Sequence, residues 1–340
     1  MDVLSPLERI ELSLSKKGRD RAPVICPGGM MNSAIVDVME NHGHVLPEGH
    51  MDADIMAALA EDVQQDTGFE NFGIPFCMTV EAEALGSDVD MGTLQCEPKI
   101  ARVIFPSVTQ AVYREPGAIV RSRRAETVFN AINKLSHRQP DIPVIGSITG
   151  PLSTAASVVA PMRFLKELRK EKESAHRFVD YVTDQLIEYA RYMADNGAKV
   201  ISIADPTATG EILGPKMFGE YAVPYINKLT DAVHDMGVPV IVHICGRMQA
   251  VAKHVAALHG DAISVDALVS LPKLKESCPE ITTMGNLSTY MLEFGNPDSV
   301  QKGTEQLLAS HIDILAPACG LSTSTPLANI QAFTGTVKNV

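Results

Sequence analysis

Basic charge is scarce in this chain: its 340 residues carry 29 Lys and Arg against 41 Asp and Glu, a formal net charge of −12. Neutralising phosphates needs a concentrated basic face, so the balance argues against a nucleic-acid partner. Long apolar runs are missing too. The longest uncharged stretch, Ile142 to Met162, is interrupted by Gly146, Gly150, Pro151 and Pro161, so no membrane insertion is expected. Cysteine is sparse. Six thiols, at 26, 77, 96, 245, 278 and 319, are too few and too scattered for a disulfide framework, and most are expected to be reduced and buried. The N-terminus carries no export signal. Ser5-Pro6-Leu7-Glu8 reads instead as a capping box with proline at the first helical position, so a cytoplasmic location is expected.

What is present is the composition of a folded globular protein, 45% apolar and 21% charged. Short β-branched runs alternate with long amphipathic stretches, the pattern of a parallel sheet with helical crossovers. Strands are expected at Ala22–Cys26, Ile74–Met78, Ile142–Ile148, Lys199–Ile203, Val238–Ile244, Ala262–Val265, Ile281–Met284 and Ile312–Leu315. Helices are expected at about Ala175–Asp195, from Gly214-Pro215 to Met236, and at Gln249–Leu258. Eight strand–helix units fit an α/β fold of the (β/α)8 TIM-like barrel type, with no linker or repeat to divide residues 1–340 into more than a single domain. A dinucleotide fold would want G-x-G-x-x-G after the first strand, where the chain reads Cys26-Pro-Gly-Gly-Met30. Two long inserts, about Asn41–Gln65 and Gly86–Glu115, are expected to be lids or to carry extra N-terminal helices.

Reactive groups of such a barrel come from the C-terminal ends of its strands. Those ends supply Cys26, Glu81, Asp205, His243 with Cys245, Asp266, Asn286 and Cys319. In Val238-Pro-Val-Ile-Val-His243-Ile-Cys245-Gly246 an apolar strand runs into His and Cys two residues apart, on one face by the period of a strand. That pair alone is read equally well as core. The eighth strand runs into Cys319-Gly320 and brings a third donor to the same mouth. One imidazole and two thiolates with a fourth position open are the composition of a catalytic zinc site. Asp205 and Glu81 are the candidate catalytic carboxylates, to orient His243, hold a proton or bind substrate, and Asp205 reads equally well as a helix cap before Pro206. Asp266 and Asn286 follow as weaker candidates. Cys26 and Cys77 are read as wall residues, and His42, His44 and His50 as solvated loop residues. Arg247 is the cation closest in sequence to the triple.

Val-His243-Ile-Cys245-Gly-Arg, Leu-Ala-Pro-Ala-Cys319-Gly-Leu and Phe76-Cys-Met-Thr-Val-Glu81-Ala-Glu83 together resemble the methylcobamide:coenzyme M methyltransferases, within the uroporphyrinogen decarboxylase superfamily. Gly146-Ser-Ile-Thr-Gly150-Pro151, Ile201-Ser-Ile-Ala-Asp205-Pro206 and Met284-Gly285-Asn286 extend the resemblance over almost the whole chain. The resemblance implies a uroporphyrinogen decarboxylase-like barrel with Zn2+ on His243, Cys245 and Cys319. It also implies a methylcorrinoid as methyl donor, carried by a small corrinoid protein, and a small-molecule thiol such as coenzyme M as acceptor. Homocysteine or tetrahydrofolate are alternative acceptors. Uroporphyrinogen decarboxylation is a further alternative, against which stands the lack of any arginine in Cys26-Pro-Gly-Gly-Met30-Met31-Asn32. The corrinoid-protein motif D-x-H-x-x-G is missing, so the corrinoid is expected on a partner. A corrinoid-binding or metal-sensing barrel without catalysis is the remaining reading.

Overall fold

The computed structural model describes residues 4–340. In chain order its strands are β1 (Phe72–Ile74), β2 (Asp88–Asp90), β3 (Lys99–Arg102), β4 (Val144–Thr149), β5 (Val200–Ala204), β6 (Val240–Ile244), β7 (Ala262–Val265), β8 (Thr282–Leu287) and β9 (Ile314–Pro317). Seven of them form one curled parallel sheet in the order β1-β4-β5-β6-β7-β8-β9. Strands β4 to β9 are buried at every position, as expected of a sheet covered on one face by helices and filled by side chains on the other. Their Val, Ile and Thr content suits that packing.

Seven ladder strands, not eight, follow from how the first expected strand is used. Residues 23–26 make one parallel bridge, Val24 to Leu315 of β9, with Ile25 N–H donating to Leu315 at 2.9 Å. On the other side the partner is a side chain. Asn71 Oδ1 accepts from Cys26 N–H at 2.8 Å while its Nδ2 donates to the Cys26 carbonyl at 2.9 Å. Glu70 N–H donates to Val24 O at 2.9 Å. The extended segment therefore spans the gap between the two edge strands, and the fold is the expected uroporphyrinogen decarboxylase-like α/β barrel with its eighth stave tied by an amide side chain.

Helices lie where the apolar spacing puts them, with local differences. The helix expected at Ala175 begins three residues earlier, running Lys172–Asp195 and burying Phe178, Val182, Leu186, Ala190 and Met193 on one face. The stretch after Gly214 is not one helix. Gly214 is non-helical, a π turn covers Phe218–Ala222, and the regular helix spans Val223–His234. The capping box at Ser5 is present, with Ser5 Oγ accepting from Glu8 N–H and the Glu8 carboxylate accepting from Ser5 N–H at 2.8 Å. The first insert holds a helix, Ala53–Thr67, whose N-cap Asp52 accepts from Asp54 and Ile55. The second insert forms the antiparallel β2–β3 pair, which sequence spacing did not anticipate. Among the described residues no helix is long and apolar enough to cross a membrane.

Asn71→Ala removes both partners of a buried backbone amide. Unfolding stability is expected to fall by about 1–3 kcal/mol, read by chemical denaturation; a loss under about 0.5 kcal/mol would contradict the bridging role.

Candidate metal centre at the barrel mouth

The strand β6 ends in His243 and Ile244, and its register against β5 and β7 sets His243 beside Ala204 on one side and Ser264 on the other. Cys245 follows at once, and Gly246, at φ +74°, turns the chain away in a conformation that only glycine adopts without strain. From β9 the chain passes through Ala318 to Cys319 and Gly320. A Cβ at Gly320 would stand 2.2 Å from the Met30 carbonyl, so a glycine is needed for the Cys319 loop to lie this close to the loop after the first stave.

These turns bring three donors together. His243 Nε2 is 3.0 Å from Cys245 Sγ, and Cys245 Sγ is 3.1 Å from Cys319 Sγ. All three donor atoms lie within 4.8 Å of one another, and both sulfurs are free thiols. Among the described residues no other group of three or more His, Cys, Asp or Glu converges in this way, and no fourth such donor joins the triple. A tetrahedral zinc ion with Zn–S of about 2.3 Å and Zn–N of about 2.0 Å sets donors roughly 3.5–3.8 Å apart. The triple meets that spacing with movements of about half an ångström, so the residues present fit the ion that the sequence resemblance implies.

His243 is fully buried, and its second ring nitrogen is held. Nδ1 is 2.9 Å from Ser264 Oγ, whose hydroxyl in turn points to Met31 Sδ at 3.7 Å. With the hydroxyl proton spent on the thioether, the serine oxygen accepts from Nδ1–H and Nε2 presents its lone pair to the sulfurs. The expected orienting role of Asp205 and Glu81 at His243 is thus filled by Ser264. Of the two thiols, Cys319 is held below the ordinary range, first by a hydrogen bond from Cys245 and then by the adjacent imidazole. Cys245 is pushed up by that same neighbouring sulfur, by burial and by Asp266.

The two candidate carboxylates sit at neighbouring strand ends. Asp205 is wholly buried and accepts from Leu152 N–H, Ser153 N–H and Ser153 Oγ at 2.9, 2.9 and 2.6 Å. It therefore caps the helix Pro151–Val158 from the neighbouring unit, not a helix of its own, and its own N–H donates to the His243 carbonyl at 3.0 Å. Burial raises its carboxyl to about 6. Glu81 accepts from Thr149 N–H at 2.7 Å and Thr149 Oγ1 at 3.1 Å, and burial raises it to about 7. Asn286 is structural, donating to the Asp266 and Val269 carbonyls, while Asp266 braces the turn at Gly246 and Leu268.

Two readings change, those of Cys77 and His50. Cys26 is the wall residue expected, donating to Met31 O and pushed by burial up to about 12. Cys77 is not idle, because Arg124 Nη2 and Thr79 Oγ1 reach its sulfur at 2.8 and 3.4 Å. His42 and His44 pair with Asp62 and Asp66 at the surface, but His50 is buried with neither ring nitrogen partnered. Arg247 faces Glu211 at 3.5 Å. A hollow of about 540 Å³ between Val255–Asp261 and Ser277–Ile281 opens at the other, N-terminal end of the strands and is separate from this chemistry.

With this geometry in place, comparison with known proteins becomes informative. The family model described as uroporphyrinogen decarboxylase (URO-D) matches residues 5–340. The methylcobamide:CoM methyltransferase MtbA of Methanosarcina acetivorans is 31% identical over 341 residues, covering 100% of this chain and 99% of its own. The chain belongs to the uroporphyrinogen decarboxylase family, on its methylcobamide:CoM methyltransferase branch. A further relative on that branch, methylcobamide:CoM methyltransferase MtaA of Methanosarcina barkeri, is 29% identical with 96% of this chain and 95% of its own covered. A solved methyltransferase from Methanosarcina mazei superposes with a TM-score of 0.92 at 28% identity, over 99% of both chains.

Because the Glu81 carboxyl is raised from 4.5 to about 7, the folded chain keeps a proton that the unfolded chain loses, so stability falls as pH rises through that window, by roughly 3 kcal/mol. Glu81→Gln is expected to remove this part of the slope between pH 4.5 and 7, leaving the smaller part from Asp205. Denaturation curves of equal slope for both proteins would contradict the assignment.

Proposed function

We propose that this chain, acting as one barrel unit in the cytoplasm, transfers a methyl group from a methylated corrinoid to a small thiol. The donor is presented by a separate small corrinoid protein, and the acceptor is of the class to which coenzyme M belongs. The observation that carries this reading is the convergence of His243, Cys245 and Cys319 within 4.8 Å at the mouth, with no fourth donor of these types among the described residues. In the reading, His243, Cys245 and Cys319 hold zinc, and Glu81 and Asp205 support the reaction.

Zinc, when bound, supplies Lewis acidity that keeps an incoming thiol as its anion. Without such help a thiol with a pKa of about 8.5 is mostly protonated at neutral pH. The residues of the chain set the charge around that event. Two thiolates and a neutral imidazole offset the ion, so the added thiolate makes the site net anionic and keeps its sulfur electron-rich. Ser264 holds the imidazole in the tautomer that leaves Nε2 free. Glu81, a buried carboxyl raised to about 7, is the group assigned to take the thiol proton. Asp205 acts as a positioning residue: its carboxylate caps the neighbouring helix while its N–H ties the end of β5 to His243. The acceptor sulfur then attacks the methyl carbon. A carbon–sulfur bond forms, the cobalt–carbon bond breaks, and its electron pair stays with cobalt, which passes from methylcob(III)amide to cob(I)amide.

Cys245→Ala and Cys319→Ala are each expected to lose stoichiometric zinc and thiol methylation while keeping the fold, since the barrel core is apolar and does not include the metal. Ser264→Ala is expected to weaken zinc by about 10–100-fold through loss of the tautomer lock. Metal analysis with chelator competition and the fall in methylcobalamin absorbance with a panel of thiols and tetrahydrofolate check both. Full activity in either cysteine variant would refute the reading, and turnover with tetrahydrofolate alone would move the acceptor out of the thiol class.

A further inference from the structure

The rim of the mouth beside β5 is apolar and basic on an otherwise acidic chain. Two segments meet there, the helix Pro161–Lys170 and the turns Gly210–Met217 that follow β5. Between them runs a groove of about 300 Å³. Its floor is Leu165 and Met217 with Met162 and Ile212, and its edge is Lys166, Arg169 and Lys170. On the helix these positions, 162, 165, 166, 169 and 170, form one stripe by the three- and four-residue spacing of a helix. The opposite stripe, Phe164, Glu167 and Leu168, is the one that is buried. Met162 and Ile212 are left 71% and 44% exposed.

The cations of this edge are unmatched. Arg163 and Lys172 beside them pair with Glu167 and Glu220, but Lys166, Arg169 and Lys170 have no carboxylate partner among the described residues. Arg169 Nε instead donates to Met217 Sδ at 3.0 Å, which lays the guanidinium along the groove. Cations in a last helical turn favour the helix C-terminus, and that accounts for Arg169 and Lys170. It accounts neither for Lys166 nor for the exposed Met162 and Ile212 next to it. Apolar surface edged by unmatched charge of one sign is the makeup of a binding face.

The groove is tied to the metal triple through the backbone. At the end of β5, Asp205 N–H donates to the His243 carbonyl at 3.0 Å. Gly210 then opens the second segment against the turn that carries Cys245: a Cβ there would stand 2.9 Å from the Arg247 carbonyl. Two residues span at most about 7 Å, so the path from Cys245 through Arg247 and Gly210 puts Ile212 within about 20 Å of Cys245. A partner face of standard size, about 800 Å², is about 30 Å across, wide enough to cover both.

Resting on the methyl-transfer reading, we propose that this groove is where the small corrinoid-carrying protein docks, through an acidic face with an apolar side chain at its centre. The net charge of −12 repels such a face everywhere else, so the local cations both steer the encounter and fix the register in which the donor meets the mouth. Met162 and Ile212 supply the apolar contact that slows departure.

The corrinoid protein of the source organism, purified by its absorbance and methylated, is the probe, with free methylcobalamin as the donor that needs no docking. Lys166→Glu/Lys170→Glu is expected to raise KM for the protein donor about tenfold at low salt, while kcat, zinc content and the rate with free methylcobalamin hold. Lys166→Arg/Lys170→Arg should behave as the unaltered chain, and Met162→Ala/Ile212→Ala should raise KM without changing its salt dependence. An unchanged KM in the charge-reversed variant, or an equal loss with free methylcobalamin, would overturn the proposal. Calorimetric titration of the corrinoid protein into each chain, with no thiol present, separates docking from chemistry. If the unaltered chain binds it about tenfold tighter than the charge-reversed one and no methyl group moves, the docking stands and the reaction falls. If the methyl group moves from both donors alike in both chains, the reaction stands and the docking falls. Tighter binding of a short DNA duplex, lost in the same variant, would give the groove to another partner and overturn it as well.

Discussion

The site depends on one constraint, the curling of a parallel sheet until the ends of β6 and β9 face the same space. Neither strand carries a metal-binding motif by itself. The end of β6 supplies an imidazole and, two residues on, a thiol, and the chain after β9 supplies one more thiol, 74 positions further along. His243 and Cys245 meet locally at 3.0 Å, and closure brings Cys319 to 3.1 Å from Cys245. The closure is completed by an unusual device. Where the first strand should pair with β1, the Asn71 side chain stands in for a backbone ladder, so the barrel is tied through an amide at the very stave whose following loop packs against Gly320. The scaffold and the mouth are thus coupled through residues 23–32.

Much of this was legible in the sequence because it is written in local patterns. A strand of Val-Ile-Val that runs into His243 and Cys245 states its direction, its face and its chemistry at once. Cys319-Gly320 repeats the same grammar. Most strand and helix positions followed from β-branched runs and from spacing such as Phe178, Val182 and Leu186. The second strand lies earlier, at Phe72–Ile74 and not Ile74–Met78, because the Ile74-Pro75 step ends the ladder. The parts that were not legible depend on register or on chain segments meeting from afar. Ser264 sits in an ordinary strand, Ala262–Val265, and becomes the partner of His243 only because β6 and β7 pair in that register. Asp205 looked like the cap of the helix after it, and instead caps the helix after the previous strand. His50 lies in a polar, glycine-containing stretch that reads as solvated loop, but it is buried in a turn that packs against the helix Ala53–Thr67.

Charge gives the mouth its character. Two sulfurs bring negative charge to one spot with Asp266 beside Cys245, and the nearby Arg247 is already matched to Glu211. A cation at the triple relieves that repulsion, which is the electrostatic reason for a divalent ion there. Around a thiolate already bound, that negative charge keeps the sulfur electron-rich. The buried carboxyls are treated differently: Glu81 and Asp205 are each satisfied by backbone and hydroxyl donors, and burial raises them to about 7 and about 6.

The most direct test is X-ray absorption at the zinc edge of the zinc-loaded protein, before and after a saturating thiol. The account predicts one nitrogen and two sulfur neighbours at rest, and a third sulfur once the thiol is added. A four-ligand shell made entirely of protein atoms, unchanged by the thiol, would contradict it.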